Sequence, residues 1–210
     1  MTKKQLFVTK NKPLVMLFSV LLAFAISFYL YHSKLDIAIH GVAVHWAVAE
    51  GSQEVWGYLS RMGQEWFQIL TCVFFGVYYY FKCNYRMSRL WYGSIVVYLS
   101  AGVLVQFIKA FVGRPRPKML PQYEPEWFEM AARMHSWPSG HTITTFAWLA
   151  CLLPFYPRKI QVVLALTACL VSFSRIGIGA HYMSDVVSAA VLGYVVGVLI
   201  RDKLKLGVKV

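Results

Sequence analysis

Apolar residues gather along the chain in six long runs, at residues 14–31, about 66–81, 90–112, 141–156, 160 to about 176 and 183–200, parted by short polar or basic stretches. A hydrocarbon core of roughly 30 Å takes about 20 apolar residues of helix, so each run reads as a membrane-crossing helix. The expected fold is all-α, a polytopic membrane protein with six transmembrane helices. The first run follows a lysine-rich start, as the core of a signal peptide would. It is longer than such a core and lacks a clear small-x-small cleavage site, so it is read as a retained helix.

Six crossings return both termini to one face and leave residues 32–62, 113–140 and about 177–182 on the other. In the first of these, Leu35, Ile37, Ile39, Val42, Val44 and Trp46 are mixed with Asp36, His40 and His45, a spacing that fits an interfacial helix and a strand almost equally. Nothing repeats at a fixed period and no low-complexity linker divides the chain, so residues 1–210 are expected to form a single membrane-embedded domain.

Composition supports the membrane reading: 58% of the residues are hydrophobic and 14% charged, more apolar than a water-soluble core of this size needs. A net charge of +12 would suggest nucleic acid in a soluble protein, but the position of the charge decides otherwise. Lys3, Lys4, Lys10 and Lys12 precede the first run, Arg201, Lys203, Lys205 and Lys209 follow the last, and Lys82, Arg86, Arg89, Arg158 and Lys159 occupy two connectors. These 13 of the 21 Lys and Arg all fall on the face shared by the termini, which the positive-inside rule makes the cytoplasm. The expected partner is the bilayer and not a nucleic acid; basic tails at anionic headgroups are compatible with this. Cys72, Cys83, Cys151 and Cys169 have no zinc or disulfide spacing and are read as packing residues. Tyr29, Tyr31, Trp66, Trp91 and Tyr92 near run ends fit an aromatic belt.

Polar residues at the ends of apolar helices are costly unless used. Three clusters stand out. Lys109 lies near the end of the third run, followed by Arg114, Pro115, Arg116 and Pro117, where the prolines stop the helix. Pro138, Ser139, Gly140 and His141 open the fourth. Ser174 and Arg175 close the fifth, and His181 and Asp185 begin the sixth. The topology, argued from Lys and Arg in the connectors, brings all three clusters to the non-cytoplasmic face.

Lys109, six residues, then Arg116-Pro117; Pro138-Ser139-Gly140-His141; and Ser174-Arg175, five residues, His181, three residues, Asp185 together resemble the tripartite signature of the type 2 phosphatidic acid phosphatases, a family related to the vanadium haloperoxidases. The resemblance covers residues 109–185 by motif and the whole chain by six-helix layout. It implies an integral membrane phosphatase acting on lipid phosphates or diphosphates through a phosphohistidine. The candidates are phosphatidic acid, phosphatidylglycerol phosphate, undecaprenyl diphosphate and a lipid A phosphate. By analogy, the setting is the cytoplasmic (inner) membrane of a bacterium, with the active site facing the periplasm.

The residues suit that chemistry on physical grounds. Phosphoryl transfer spreads negative charge over equatorial oxygens, which Lys109, Arg116 and Arg175 can meet, the arginines with forked contacts. Ser139 and the free N–H groups around Gly140 at a helix start form an anion site. His181 and Asp185, four residues apart, share a helix face, so the carboxylate can hold one ring nitrogen while the other attacks phosphorus. His141, from another helix, can protonate the departing alcohol and later help activate water. Which histidine attacks stays open from the residues alone; the resemblance implies His181 as nucleophile, Asp185 as its orienter, His141 as general acid, and Lys109, Arg116, Ser139, Gly140 and Arg175 as phosphate ligands.

Neither metal nor cofactor is expected, because a two-metal phosphatase needs clustered carboxylates and only Asp185 of the nine Asp and Glu lies in the signature. Glu124, Glu126 and Glu129 are read as a solvated loop face ahead of an ion or substrate-selecting site. Arg114 has two readings, a fourth phosphate contact or a headgroup anchor. His32, His40, His45 and His135 read as interfacial. Taken singly, each signature residue has a bland explanation, such as a snorkelling anchor or a capping serine. A haem-binding cytochrome leaves the arginines unexplained, and intact His141, His181 and Asp185 weigh against a non-catalytic lipid-phosphate binder or transporter. The site is expected in a cleft between the third, fourth, fifth and sixth runs, open sideways to lipid, with residues 32–62 and 118–137 shaping headgroup choice and no obligatory protein partner.

Overall fold

Five of the six predicted apolar runs lie within a helix of the computed structural model, and the fourth outruns its helix by a 3-10 turn at Leu153–Phe155 and by Tyr156; the structure describes residues 3–49, 51, 53–119, 126, 128 and 131–206, with side chains from Lys12 onward apart from residue 49. The helices are α1 (Lys3–His32), α2 (Leu35–Ala49), α3 (Gln53–Arg61), α4 (Glu65–Phe81), α5 (Tyr85–Val112), α6 (Gly140–Leu152), α7 (Arg158–Gly177) and α8 (Met183–Lys203), and no strand occurs among the described residues. Among the described residues, four stretches are long and apolar enough to cross a membrane: Lys12–His32, Tyr85–Met119, Arg158–Gly177 and Met183–Lys203. Leu35–Val48 and Gly140–Phe155 are shorter apolar helices.

The ambiguous segment 32–62 forms two helices, α2 and α3. Its alternating apolar residues Leu35, Ile37, Val42 and Trp46 are exposed. The alternation therefore does not mark one buried face of a strand. An apolar segment facing lipid must satisfy its own backbone, and a helix does this without a partner strand.

Packing centres on α6, which lies along α8 and against α5 and α7. Gly193 and Gly197, one turn apart on α8, face the carbonyls of Ile143 and Ala147, where any Cβ would collide with the α6 backbone. Close backbone approach through small residues is how helices associate where lipid removes the hydrophobic drive. This Gly-Tyr-Val-Val-Gly motif went unread in the sequence. On the other side of α6, Ala147, Cys151 and Leu152 meet Leu90, Trp91, Val97 and Ala101 of α5.

Two sequence readings need correction. Trp91 is buried, stacks on Phe75 at 4.6 Å and donates from Nε1 to the Tyr156 hydroxyl at 2.9 Å, so it is a core residue and not part of an aromatic belt. Cys72 and Cys151 are buried as packing residues should be, but Cys83 and Cys169 are exposed. Glu124 and Glu129 of the acidic loop lie outside the described residues; Glu126 is described, and its N–H donates to the Gly113 carbonyl at 3.0 Å.

The bundle has two chemically distinct ends. At one, Lys12 pairs with Asp202, and Arg201 donates to the Ala150 carbonyl at 2.8 Å. At the other lie the α1–α2 turn, the end of α5 and the starts of α6 and α8, where the signature residues gather.

Candidate active site

Three local structures bring the signature together. Lys109 occupies the last turn of α5, whose end is capped by Gly113 in the left-handed conformation (φ 54°), its N–H donating to the Lys109 carbonyl at 3.0 Å. A side chain at Gly113 would strike the Glu126 backbone, so glycine is required by space as well as by φ. Beyond the cap the chain doubles back in extended form. Arg116 N–H donates to the Arg133 carbonyl (2.9 Å) and Ser136 N–H to the Arg114 carbonyl (2.9 Å), which fixes the two arginines against the segment entering α6.

The start of α6 is then pinned to the start of α8 by the Ser139 N–H, which donates to the Asp185 carbonyl at 3.1 Å. At the end of α7, the Arg175 carbonyl accepts from the N–H groups of both Ala180 and His181, at 3.0 and 3.1 Å, and this tight turn swings His181 back over the bundle.

The outcome is a cavity of about 390 Å³ whose lining includes Lys109, Arg116, Gly140, His141, Arg175 and His181. Both imidazoles and all three expected cationic ligands share it. The Lys109 ammonium lies 3.3 Å from where a Cβ on residue 140 would sit, so glycine there leaves it room. Among the described residues, the Nε atoms of Arg116 and Arg175 are buried without a hydrogen-bond partner, donors that a tetrahedral oxyanion could satisfy. Arg175 is held by a hydrogen bond from its guanidinium to Ser60 of α3, and Gly63, in the turn after α3, packs on His141.

The cavity wall departs from the expected cleft. Glu65 and Ile69 of α4 line it together with Tyr98, Leu99, Val103 and Gln106 of α5, whereas α8 contributes no lining residue. The second apolar run thus replaces the sixth in the wall, and α8 backs the site.

Asp185 and Ser139 are fully buried behind that wall. The Ser139 hydroxyl accepts from Thr142 Oγ1 at 3.1 Å. Asp185 is surrounded: Oδ1 accepts from Arg114 at 2.6 Å, and Oδ2 accepts from the Ser136 hydroxyl at 2.6 Å and the Tyr182 N–H at 2.9 Å, with His181 Nδ1 at 3.5 Å from it. Burial pushes the His181 imidazole down to about 4, against the opposing pull of the Asp185 carboxylate. The ring is therefore neutral at physiological pH, the form a nucleophile needs.

Arg114 does not line this cavity: it is buried between Asp36 and Asp185 and donates also to the Ser184 hydroxyl at 2.7 Å. It borders a second, largely apolar cavity with Tyr31, His32 and Trp137, and the centroids of the Tyr31 and Tyr182 rings lie 4.9 and 4.3 Å from its guanidinium carbon. Asp36, Ser60, Ser136 and Ser184 were not singled out from sequence. Only Asp36 carried a signal, as a carboxylate inside an apolar helix that must find a partner. Among the described residues, no three His, Cys, Asp or Glu side chains cluster as metal ligands.

A family model described as the PAP2 superfamily matches residues 90–205. The chain is 27% identical over 142 residues to a lipid A 1-phosphatase of Rhizobium etli, a match covering 59% of this chain and 60% of that protein. It thus spans less than two thirds of that relative's length. It is 25% identical over 206 residues to phosphatidylglycerophosphatase B of Bacillus subtilis, covering 86% of this chain and 96% of that one. The crystal structure of a transmembrane PAP2-type phosphatidylglycerolphosphate phosphatase from Bacillus subtilis superposes with a TM-score of 0.69 at 20% identity, over 93% of this chain and 96% of the other, a likeness of fold.

Proposed function

Because the chain belongs to the PAP2 superfamily, we propose that it is an integral membrane phosphatase that hydrolyses the phosphate monoester or diphosphate of a lipid without a metal, through a phosphohistidine. The observation that carries this reading is one cavity holding two imidazoles, an ammonium and two guanidinium groups whose Nε–H donors lack an acceptor among the described residues. Lys109, Arg116 and Arg175 hold the phosphate oxygens, with the N–H groups at the start of α6, around Ser139 and Gly140, completing the anion site.

With Nδ1 turned toward Asp185, Nε2 is the nitrogen of His181 that attacks. An N–P bond forms as the P–O bond to the lipid breaks. His141, charged once a phosphate dianion offsets the neighbouring cations, gives its proton to the departing oxygen. Neutral His141 then takes a proton from water, and the resulting hydroxide attacks phosphorus. The P–N bond breaks to release inorganic phosphate and restore His181. Asp185 holds Nδ1–H throughout and balances positive charge on the ring.

Six crossings place both termini in the cytoplasm and the site at the outer face of a bacterial cytoplasmic membrane. The acyl or prenyl chain stays in the bilayer along α4 and α5. Phosphatidylglycerol phosphate, phosphatidic acid, undecaprenyl diphosphate and a lipid A phosphate are the candidate substrates. The test measures phosphate release from these four lipids by the purified protein in detergent with chelator. One of them should turn over, and His181→Ala should lower kcat by about a thousandfold or more. Undiminished turnover in that variant would sink the nucleophile assignment, and no release from any lipid would sink the reading.

A further inference from the structure

The mechanism uses Asp185 as an anion beside His181, yet Asp185 already has a cation in contact. Arg114 Nη1 lies 2.6 Å from Oδ1, in a place where both side chains are nearly free of solvent. A carboxylate neutralised in this way would do little to stabilise positive charge on an imidazole. The opposing carboxylate is that of Asp36, 1% exposed on α2, whose Oδ2 lies 3.0 Å from Arg114 Nη2. Asp36 also accepts the Ser184 N–H at 3.0 Å through Oδ1 and the Ser184 hydroxyl through Oδ2. Two carboxylates therefore share one guanidinium, and with little solvent to screen it the group carries a net charge of about −1, aimed at His181 through Asp185.

We infer that Asp36 is a positioning residue for the reaction, its charge offsetting Arg114 so that Asp185 remains an effective anion beside His181. The inference rests on the phosphohistidine reading above. Structure alone would not require this arrangement. A neutral side chain at Asp36 could still accept the Ser184 N–H, and Arg114 would still have Asp185, Ser184 and two aromatic faces. What a neutral residue could not supply is the second negative charge. Positive charge appears on the His181 ring only as the N–P bond forms. The effect of Asp36 therefore falls on the transition state and hardly at all on substrate binding in the cavity, which Asp36 does not line.

The test compares four proteins in detergent on a lipid that the wild type turns over: wild type, Asp36→Asn, Arg114→Gln and the double variant. Asp36→Asn should lower kcat by about ten- to a hundredfold with KM within about twofold, the size expected for losing one poorly screened charge near the reacting centre. Removing the guanidinium as well removes what Asp36 offsets, so the double variant should recover most of that loss. A kcat for Asp36→Asn within twofold of wild type would overturn the inference. So would a double variant as slow as Asp36→Asn, since a merely structural role for Asp36 predicts no recovery. If Asp36→Asn alone does not survive purification, the double variant decides the matter against wild type. It restores the net charge of the group, so its kcat should lie within a few-fold of wild type, and a tenfold or greater loss would count against charge compensation. Inactive wild type on every lipid would instead refute the functional reading.

Discussion

The chemistry of the site was written in single residues, and most of them could be read before any fold was known. Lys109, Arg116, His141, Arg175 and His181 line one cavity although they come from three separate stretches of chain. What could not be read was the shell behind them. Arg114 lies two residues from Arg116 in sequence but pairs with Asp36, 78 residues away, and no local pattern encodes that pairing. His181 carries a prediction of its own. Burial holds its imidazole down to about 4, facing Asp185, Arg175 and Lys109, whereas in the unfolded chain it titrates near 6.5. Between those values the unfolded state binds the extra proton, so this contribution to stability is whole above about pH 6.5 and shrinks as pH falls toward 4. Melting of wild type and His181→Gln in detergent should show the gap between them moving in favour of the variant as pH drops from 7.5 to 5. A gap that does not change with pH would mean His181 is not buried neutral.

At the scale of elements, apolar runs located every long helix, because lipid exposure makes a spanning segment apolar on all sides and leaves length as the signal. The same property hid α2. Its Leu35, Ile37 and Ile39, and again Val42, Val44 and Trp46, are spaced as a strand's alternation, and only the cost of unpaired backbone in lipid separates the two readings. Helix pairing was legible in principle and was missed: Gly193 and Gly197 are a small-xxx-small face, and they bring α8 against the backbone of α6 at Ile143 and Ala147. Since α6 carries His141 and α8 begins beside His181, this seam sets the distance between the two imidazoles. Gly197→Ile should force the helices apart, destabilise the protein by about 1–3 kcal/mol and lower kcat even in the fraction that stays folded. Gly41, whose Cβ would meet nothing within 4 Å, is the control site and should tolerate alanine. Equal melting temperatures for Gly197→Ile and wild type would show that the seam can open without cost.

For the whole molecule, the question is which way the site faces, and the two ends of the bundle give it a chemical form. Lys12, Arg201 and the exposed connector at Cys83 belong to the basic end, while Asp36, next to the α1–α2 turn, reaches the site through Arg114 at the other. If positive charge faces the cytoplasm, Cys83 lies inside the cell and Ser33, exposed in the α1–α2 turn, lies outside together with the active site. Cys72 and Cys151 are buried and Cys169 sits within the apolar α7, so Cys83 is the native thiol open to an aqueous reagent. A membrane-impermeant maleimide should leave the native protein unlabelled in intact cells and label it once the membrane is permeabilised. Ser33→Cys in a Cys83→Ser background should be labelled in intact cells. The reverse pattern would put the phosphate cavity on the cytoplasmic side, where it would meet lipids made in that leaflet. Labelling of both positions from the same side would contradict the single crossing expected between them, and the six-helix layout with it.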